Sequence, residues 1–226
     1  MTILEVLLKN TRDVKVIDSS IDHKSYIPID LSSSNHELSK FDIKCALSFE
    51  EYVESHLAVN KAQVAFGGYN EERNIYQRST VFKDEKTEER NIHIGLDLWI
   101  KAGTSVLSAL DGTVHSYNLN AGFGDYGPTI ILEHQLENQT FYTLYGHLSL
   151  DSLEGLQIGT VFKQGEQIAS LGDASINGDY APHLHFQIIK NIANKFGDYP
   201  GVCSKKELSF YLENCPDPDL LLKIKA

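Results

Sequence analysis

Two histidines stand one residue apart in the stretch Tyr180-Ala181-Pro182-His183-Leu184-His185-Phe186. Side chains alternate along an extended strand, so both imidazoles share one face while Leu184 and Phe186 point into the core. A second candidate is His93-Ile94-Gly95-Leu96-Asp97, because imidazole nitrogen and carboxylate oxygen are suitable donors for zinc. Gly95 and the strand-like residues around it argue against a helix that would bring positions 93 and 97 together. In an ideal strand these two positions lie roughly 13 Å apart, too far for one ion held by bonds of about 2 Å. The chain is therefore expected to bend between them at Gly95. His93, Asp97 and one histidine of the pair give three protein ligands and an open fourth position, the pattern of a catalytic zinc site. Spacing leaves open which of His183 and His185 is the ligand.

The elements that position these groups fall in one region. Six of the nine histidines lie between His93 and His185. From about 91 to 190 the sequence reads as short runs rich in Val, Ile, Thr and Tyr, broken every eight to twelve residues by glycine turns. The runs are 105–110, 113–118, 129–134, 141–145, 167–171 and 183–189. This spacing predicts a mainly β protein, an antiparallel sandwich or half-barrel. Residues 1–80 are more irregular and read as an N-terminal extension with one helix, about 49–60, behind a Ser48-Phe49-Glu50-Glu51 capping box. The remaining span, 81–226, is expected to form the β domain with a C-terminal tail and a short helix near 205–213. His115 and His134 are read as ordinary strand histidines.

An ordered set of motifs across about residues 90–190 resembles the lysostaphin-type zinc endopeptidases. It comprises His93-x-Gly95-x-Asp97, Ala102-Gly103-Thr104, Asp111-Gly112-x-Val114, Tyr145-Gly146-His147-Leu148-Ser149, Gly165-x-x-Ile168 and Pro182-His183-x-His185-Phe186. The resemblance implies that His93, Asp97 and His185 bind Zn2+, that His147 and His183 are catalytic histidines outside the ligand set, and that the fold is a compact antiparallel β core. It implies a metallopeptidase that hydrolyses a peptide or small amide, in most members a cross-link of peptidoglycan. The loops depart from the pattern: 172–181 replaces the usual Ser-Thr-Gly, and Gln187 stands where many relatives carry glutamate. Gly67-Gly68-Tyr69 through Tyr76, Asp125 to Thr129 and Cys215 to Pro218 are similar to a variant of this domain found between phosphotransferase-like and class-III aminotransferase-like domains. Retention of the whole ligand set favours an enzyme over a non-catalytic binding or regulatory module.

Composition narrows the partners. Twenty basic against 31 acidic residues give a net charge of −11, which disfavours nucleic acid and anionic lipid surfaces. No run reaches the roughly 18 apolar residues of a membrane span. The three cysteines lack zinc or disulfide spacing, and the start of the chain does not read as an export signal. A cytoplasmic protein with reduced thiols is the expectation.

Overall fold

The computed structural model describes residues 2–78 and 89–224, so the expected boundary near residue 80 falls outside the described residues. The strands are β1 (Tyr26–Pro28), β2 (Val64–Gly67), β3 (Glu71–Glu72), β4 (Arg90–His93), β5 (Leu96–Trp99), β6 (Ser105–Leu107) and β7 (Gly112–Asn120). They continue as β8 (Gly127–Leu136), β9 (Gln139–Gly146), β10 (Val161–Phe162), β11 (Gln167–Ser170), β12 (His183–Ile189) and β13 (Val202–Ser204). The helices are α1 (Ile3–Asn10), α2 (Ala46–Asn60), α3 (Leu208–Asn214) and α4 (Asp219–Leu222). The mainly β expectation holds. Eight strands form one sheet in the order β1-β2-β5-β12-β9-β8-β7-β10, beside a β11-β6 pair and a β13-β4-β3 sheet. Every pairing is antiparallel except β1 with β2.

Two findings alter the picture of the N-terminal region. Among its described residues it contains two α-helices, not one. Thr2 caps α1, accepting the Glu5 N–H while the Glu5 carboxylate receives the Thr2 N–H, and Leu4 and Leu8 are buried beneath it. A capping box closes even so short a helix. The second helix starts two residues ahead of Ser48, at Ala46 behind Cys45, so Ser48 lies inside it and the apparent capping box is not used. The region is also continuous with the β domain: β2 pairs with β5, aligning Ala65 with Trp99 and Gly67 with Asp97. The alternation of Val64, Ala65 and Phe66 is weak, and the run is too short for the period-two signal to separate it from the adjoining glycine turn.

Strand β12 sits between β5 and β9, and all seven of its residues are buried. Register sets His185 opposite both Asp97 and Gly146, and His183 opposite Trp99. A one-residue slip would turn both imidazoles to the other face. The apolar side of β12, Leu184 and Phe186, packs with Leu96, Leu98, Ile130 and Tyr145 in the main core.

His134 on β8 is remote from this strand and buried. Its Nδ1–H donates to the Asp111 carbonyl at 2.9 Å, leaving Nε2 to accept from the Thr143 hydroxyl at 2.6 Å. Thr143 lies 3.1 Å from the Tyr145 hydroxyl, which accepts the Ala109 N–H. The Tyr145 hydroxyl is thus a core group. Burial lowers the His134 pKa to about 4. The unfolded imidazole takes up its proton near pH 6.5 and the folded one does not, so stability falls as pH drops from about 6.5 to about 4, by about 3 kcal/mol for this group. Urea unfolding across that window is expected to show a dependence shallower by about one proton in His134→Asn. An identical slope would assign the acid sensitivity elsewhere.

Candidate metal centre

His93 closes β4, Asp97 lies within β5 and His185 within β12. The structure brings the three together: Nε2 of His93 lies 2.9 Å from Nδ1 of His185, which lies 3.2 Å from Oδ1 of Asp97, and the third edge is 3.3 Å. A tetrahedral ion with bonds of about 2.0–2.1 Å has ligand atoms about 3.3 Å apart, so the triangle has the size zinc requires. All three side chains are buried, with 1–3% of each exposed.

The protonation states fit as well. Burial lowers the His93 pKa to about 4, against the opposing pull of Asp97. Burial alone would raise that of Asp97, yet His93 and Arg73 hold it well below the usual carboxylate range. Neutral imidazoles and an ionised carboxylate are the forms that bind a cation.

Outer partners fix which atom of each ligand is free. His93 Nδ1–H donates to the Gly68 carbonyl at 2.9 Å, leaving the Nε2 lone pair for an ion. His185 Nε2–H donates to Gln187 Oε1 at 3.0 Å, leaving Nδ1. Gln187 is itself oriented, since its amide nitrogen donates to the Pro200 carbonyl and the Cys215 sulfur. Arg73 Nη1 meets Asp97 Oδ2 at 2.6 Å and Arg73 Nε meets Glu71 Oε2 at 2.6 Å, so Oδ1 alone remains for the metal. Such partners set tautomer, ring orientation and ligand basicity.

The chain does bend between His93 and Asp97, but Gly95 serves a different purpose from the one expected. Its φ is not in the left-handed region. Instead, a Cβ there would lie 2.4 Å from His185 Cε1. The glycine is needed for the close approach of the imidazole, while the break between β4 and β5 makes the turn.

His147 and His183 stand beside the triangle, their ring centroids 4.1 Å apart. His183 Nδ1–H donates to the Ala181 carbonyl and His147 Nδ1–H to the Asn177 carbonyl, each at 2.7 Å. Both Nε2 atoms are therefore the unprotonated ones, and His183 Nε2 lies 3.9 Å from Asp97 Oδ1. Burial lowers the His183 pKa to about 4 and puts that of His147 well below 6.5. His147 has φ 62°, a left-handed conformation that costs a non-glycine residue on the order of 1 kcal/mol and is typical of functional positions. The Asn177 side chain fixes its own loop through Gly172 and Tyr180, so the divergent 172–181 loop is the element that orients His147.

Several groups here had no signal in the sequence. Arg73 follows two glutamates and reads as a solvated turn, yet it is 3% exposed. Tyr126 packs on His185 with its ring centroid 5.0 Å away, and Gly201 makes room for its hydroxyl, which a Cβ would approach to 1.9 Å.

One protein-family model matches residues 91–195, the segment that holds His93, Asp97, His147, His183 and His185. That family is peptidase family M23. An uncharacterized metalloprotease of Haemophilus influenzae is 36% identical over 95 residues, which are 42% of this chain and 18% of that protein. The chain thus spans under a fifth of the curated relative it matches. Among solved structures, the lysostaphin catalytic domain of Staphylococcus simulans is 24% identical, covering 54% of this chain and 80% of that one, with a TM-score of 0.38. Helicobacter pylori Csd3 is 28% identical, covering 55% and 32%, with a TM-score of 0.35. Outside the matched residues 91–195 lie Gly68, Arg73, Pro200 and Cys215, the outer supports just described.

Proposed function

We propose that the chain is a zinc metallopeptidase, an endopeptidase or amidase that hydrolyses a peptide or amide bond. The observation that carries this reading is the triangle of His93, Asp97 and His185 with two unprotonated imidazole nitrogens beside it. Zinc bound by three such ligands supplies a Lewis acid and an acidified water. His183 and His147 share the proton transfers: a neutral Nε2 accepts the proton of the attacking water, and the resulting imidazolium returns it to the departing amine. The carbonyls of Ala181 and Asn177 hold each ring in the tautomer that leaves Nε2 free. Burial keeps both imidazoles neutral before the reaction, and Asp97, 3.9 Å from His183 Nε2, favours the protonated ring once formed.

The substrate we assign is a peptide or small amide, with peptidoglycan-derived peptides as one source. We place the chain with the variant domain that lies between phosphotransferase-like and aminotransferase-like domains, on the sequence around Gly68, Asp125 and Cys215. A cytoplasmic location is supported by three free cysteines, two of them buried. Among the described residues, no helix is long and apolar enough to cross a membrane.

The test joins metal content to turnover. The purified protein is expected to hold one zinc per chain and to hydrolyse short peptides. His183→Ala and His147→Ala should keep the metal and lose about a hundredfold to ten-thousandfold in kcat. Unchanged turnover in both variants would refute the roles given to these histidines, and a wild-type protein without zinc would refute the function.

A further inference from the structure

The triangle opens onto a cavity of ≈180 Å3, room for on the order of a dozen waters. Its floor is His93, Asp97, His147, His183 and His185, but one wall comes from outside the M23 segment: Leu31, Phe49, Ile75 and Tyr76 join Trp99 along it. These five belong to a single hydrophobic cluster, and each is 1–6% exposed. The wall adjoins the reacting groups. The Trp99 ring stacks on His183 at 5.4 Å between centroids, that of Tyr76 on His93 at 6.5 Å, and Phe49 meets Trp99 edge-on at 6.4 Å. Charged residues line the same cavity elsewhere, at Arg90, Asp125, Lys195 and Asp198.

A second observation sets this wall apart from ordinary packing. Among the described residues, the two buried side-chain donors without a hydrogen-bond partner are Trp99 Nε1 and Arg73 Nη2. Both residues line the cavity, and the Arg73 guanidinium lies 5.5 Å from the centre of the Trp99 ring. Buried donors normally have a partner, so these two are open to a polar atom of whatever occupies the cavity, such as a peptide carbonyl next to the side chain that the wall receives.

We propose that the Leu31, Phe49, Ile75, Tyr76 and Trp99 wall is a binding pocket for a large apolar side chain adjoining the scissile amide. The substrate class is then a short peptide with a leucine- or phenylalanine-sized residue at that position. This rests on the metallopeptidase reading above, and it adds a preference set by Trp99 together with four residues that the matched segment does not contain. Removing such a side chain from water strengthens binding about tenfold to a hundredfold, provided it fits beside the metal.

The test uses two metal-directed probes on the zinc-loaded full chain, N-acetylglycine hydroxamate and N-acetylphenylalanine hydroxamate, with affinities measured by calorimetry. The phenylalanine probe should bind ten- to a hundredfold more tightly, and Leu31→Trp, which fills the pocket, should bring the ratio of the two affinities close to one. Equal affinities, or tighter binding of the glycine probe, in the wild-type protein would overturn the pocket and leave the metallopeptidase reading standing. A ratio unchanged in a folded Leu31→Trp protein would also overturn it. Absence of zinc together with absence of binding by either probe would overturn both.

Discussion

Asp97→Asn is expected to leave the protein without stoichiometric zinc. The amide is a poor donor for this ion, and its neighbours His93 and His185 supply only two nitrogens. The loss in affinity should exceed the ten- to hundredfold that follows from changing an outer partner. Folding suffers too, because Arg73 loses one of its two carboxylates inside the protein. Breaking such a buried pair costs about 3 kcal/mol, at the low end of the usual range because Glu71 remains. Metal analysis after dialysis and urea unfolding of the zinc-free protein measure the two effects separately. A variant that keeps one zinc per chain would remove Asp97 from the ligand set.

Arg73→Met is the second large effect, and it comes from a residue that touches no metal. Methionine preserves much of the side-chain volume, so the change reads charge and hydrogen bonding. Asp97 and Glu71 then share a buried region with no cation between them, a loss of about 3–5 kcal/mol in the zinc-free protein. Asp97 also becomes free to rotate Oδ1 away from the two imidazoles, and zinc affinity should fall ten- to a hundredfold. Arg73 helps to hold the Asp97 carboxyl ionised, a contribution present above the ordinary carboxylate range and lost as pH falls through the depressed folded value. The variant should therefore release zinc at a higher pH than the wild type. Arg73→Lys should recover only part of the affinity, since one ammonium cannot span both carboxylates as the fork does. Wild-type zinc affinity in Arg73→Met would show the pair to be structural only.

The sequence made the mainly β fold legible through strand-sized runs of β-branched and aromatic residues separated by glycine turns. His93, Asp97, His147, His183 and His185 stood out because imidazoles in a fixed order with a proline and glycines around them are uncommon. Their surroundings did not stand out, for identifiable reasons. Arg73 lies in an Asn-Glu-Glu-Arg run whose composition is that of a solvent-facing turn, and only tertiary folding buries it. Gly68 acts through a carbonyl, which any residue possesses. Gln187 differs from its expected acidic counterpart by a single group, and its orientation depends on Cys215, far along the chain. Helix α1 was hidden because its eight residues make little more than two turns, too short a window for a helical period to show, and α2 starts at Ala46 because buried Ala46 and Phe49 outweigh the local appeal of a Ser48 cap.

The position of β12 between β5 and β9 has a consequence for the newly made chain. Until residues 183–189 leave the ribosome, β5 and β9 have no common neighbour, and each offers a bare row of backbone donors and acceptors. His93 and Asp97 are by then already synthesised, but the nitrogen that completes their triangle is not. Metal capture by the triangle can therefore only follow the synthesis of β12, and a ribosome stalled before that point would display an adhesive sheet margin rather than a half-built site.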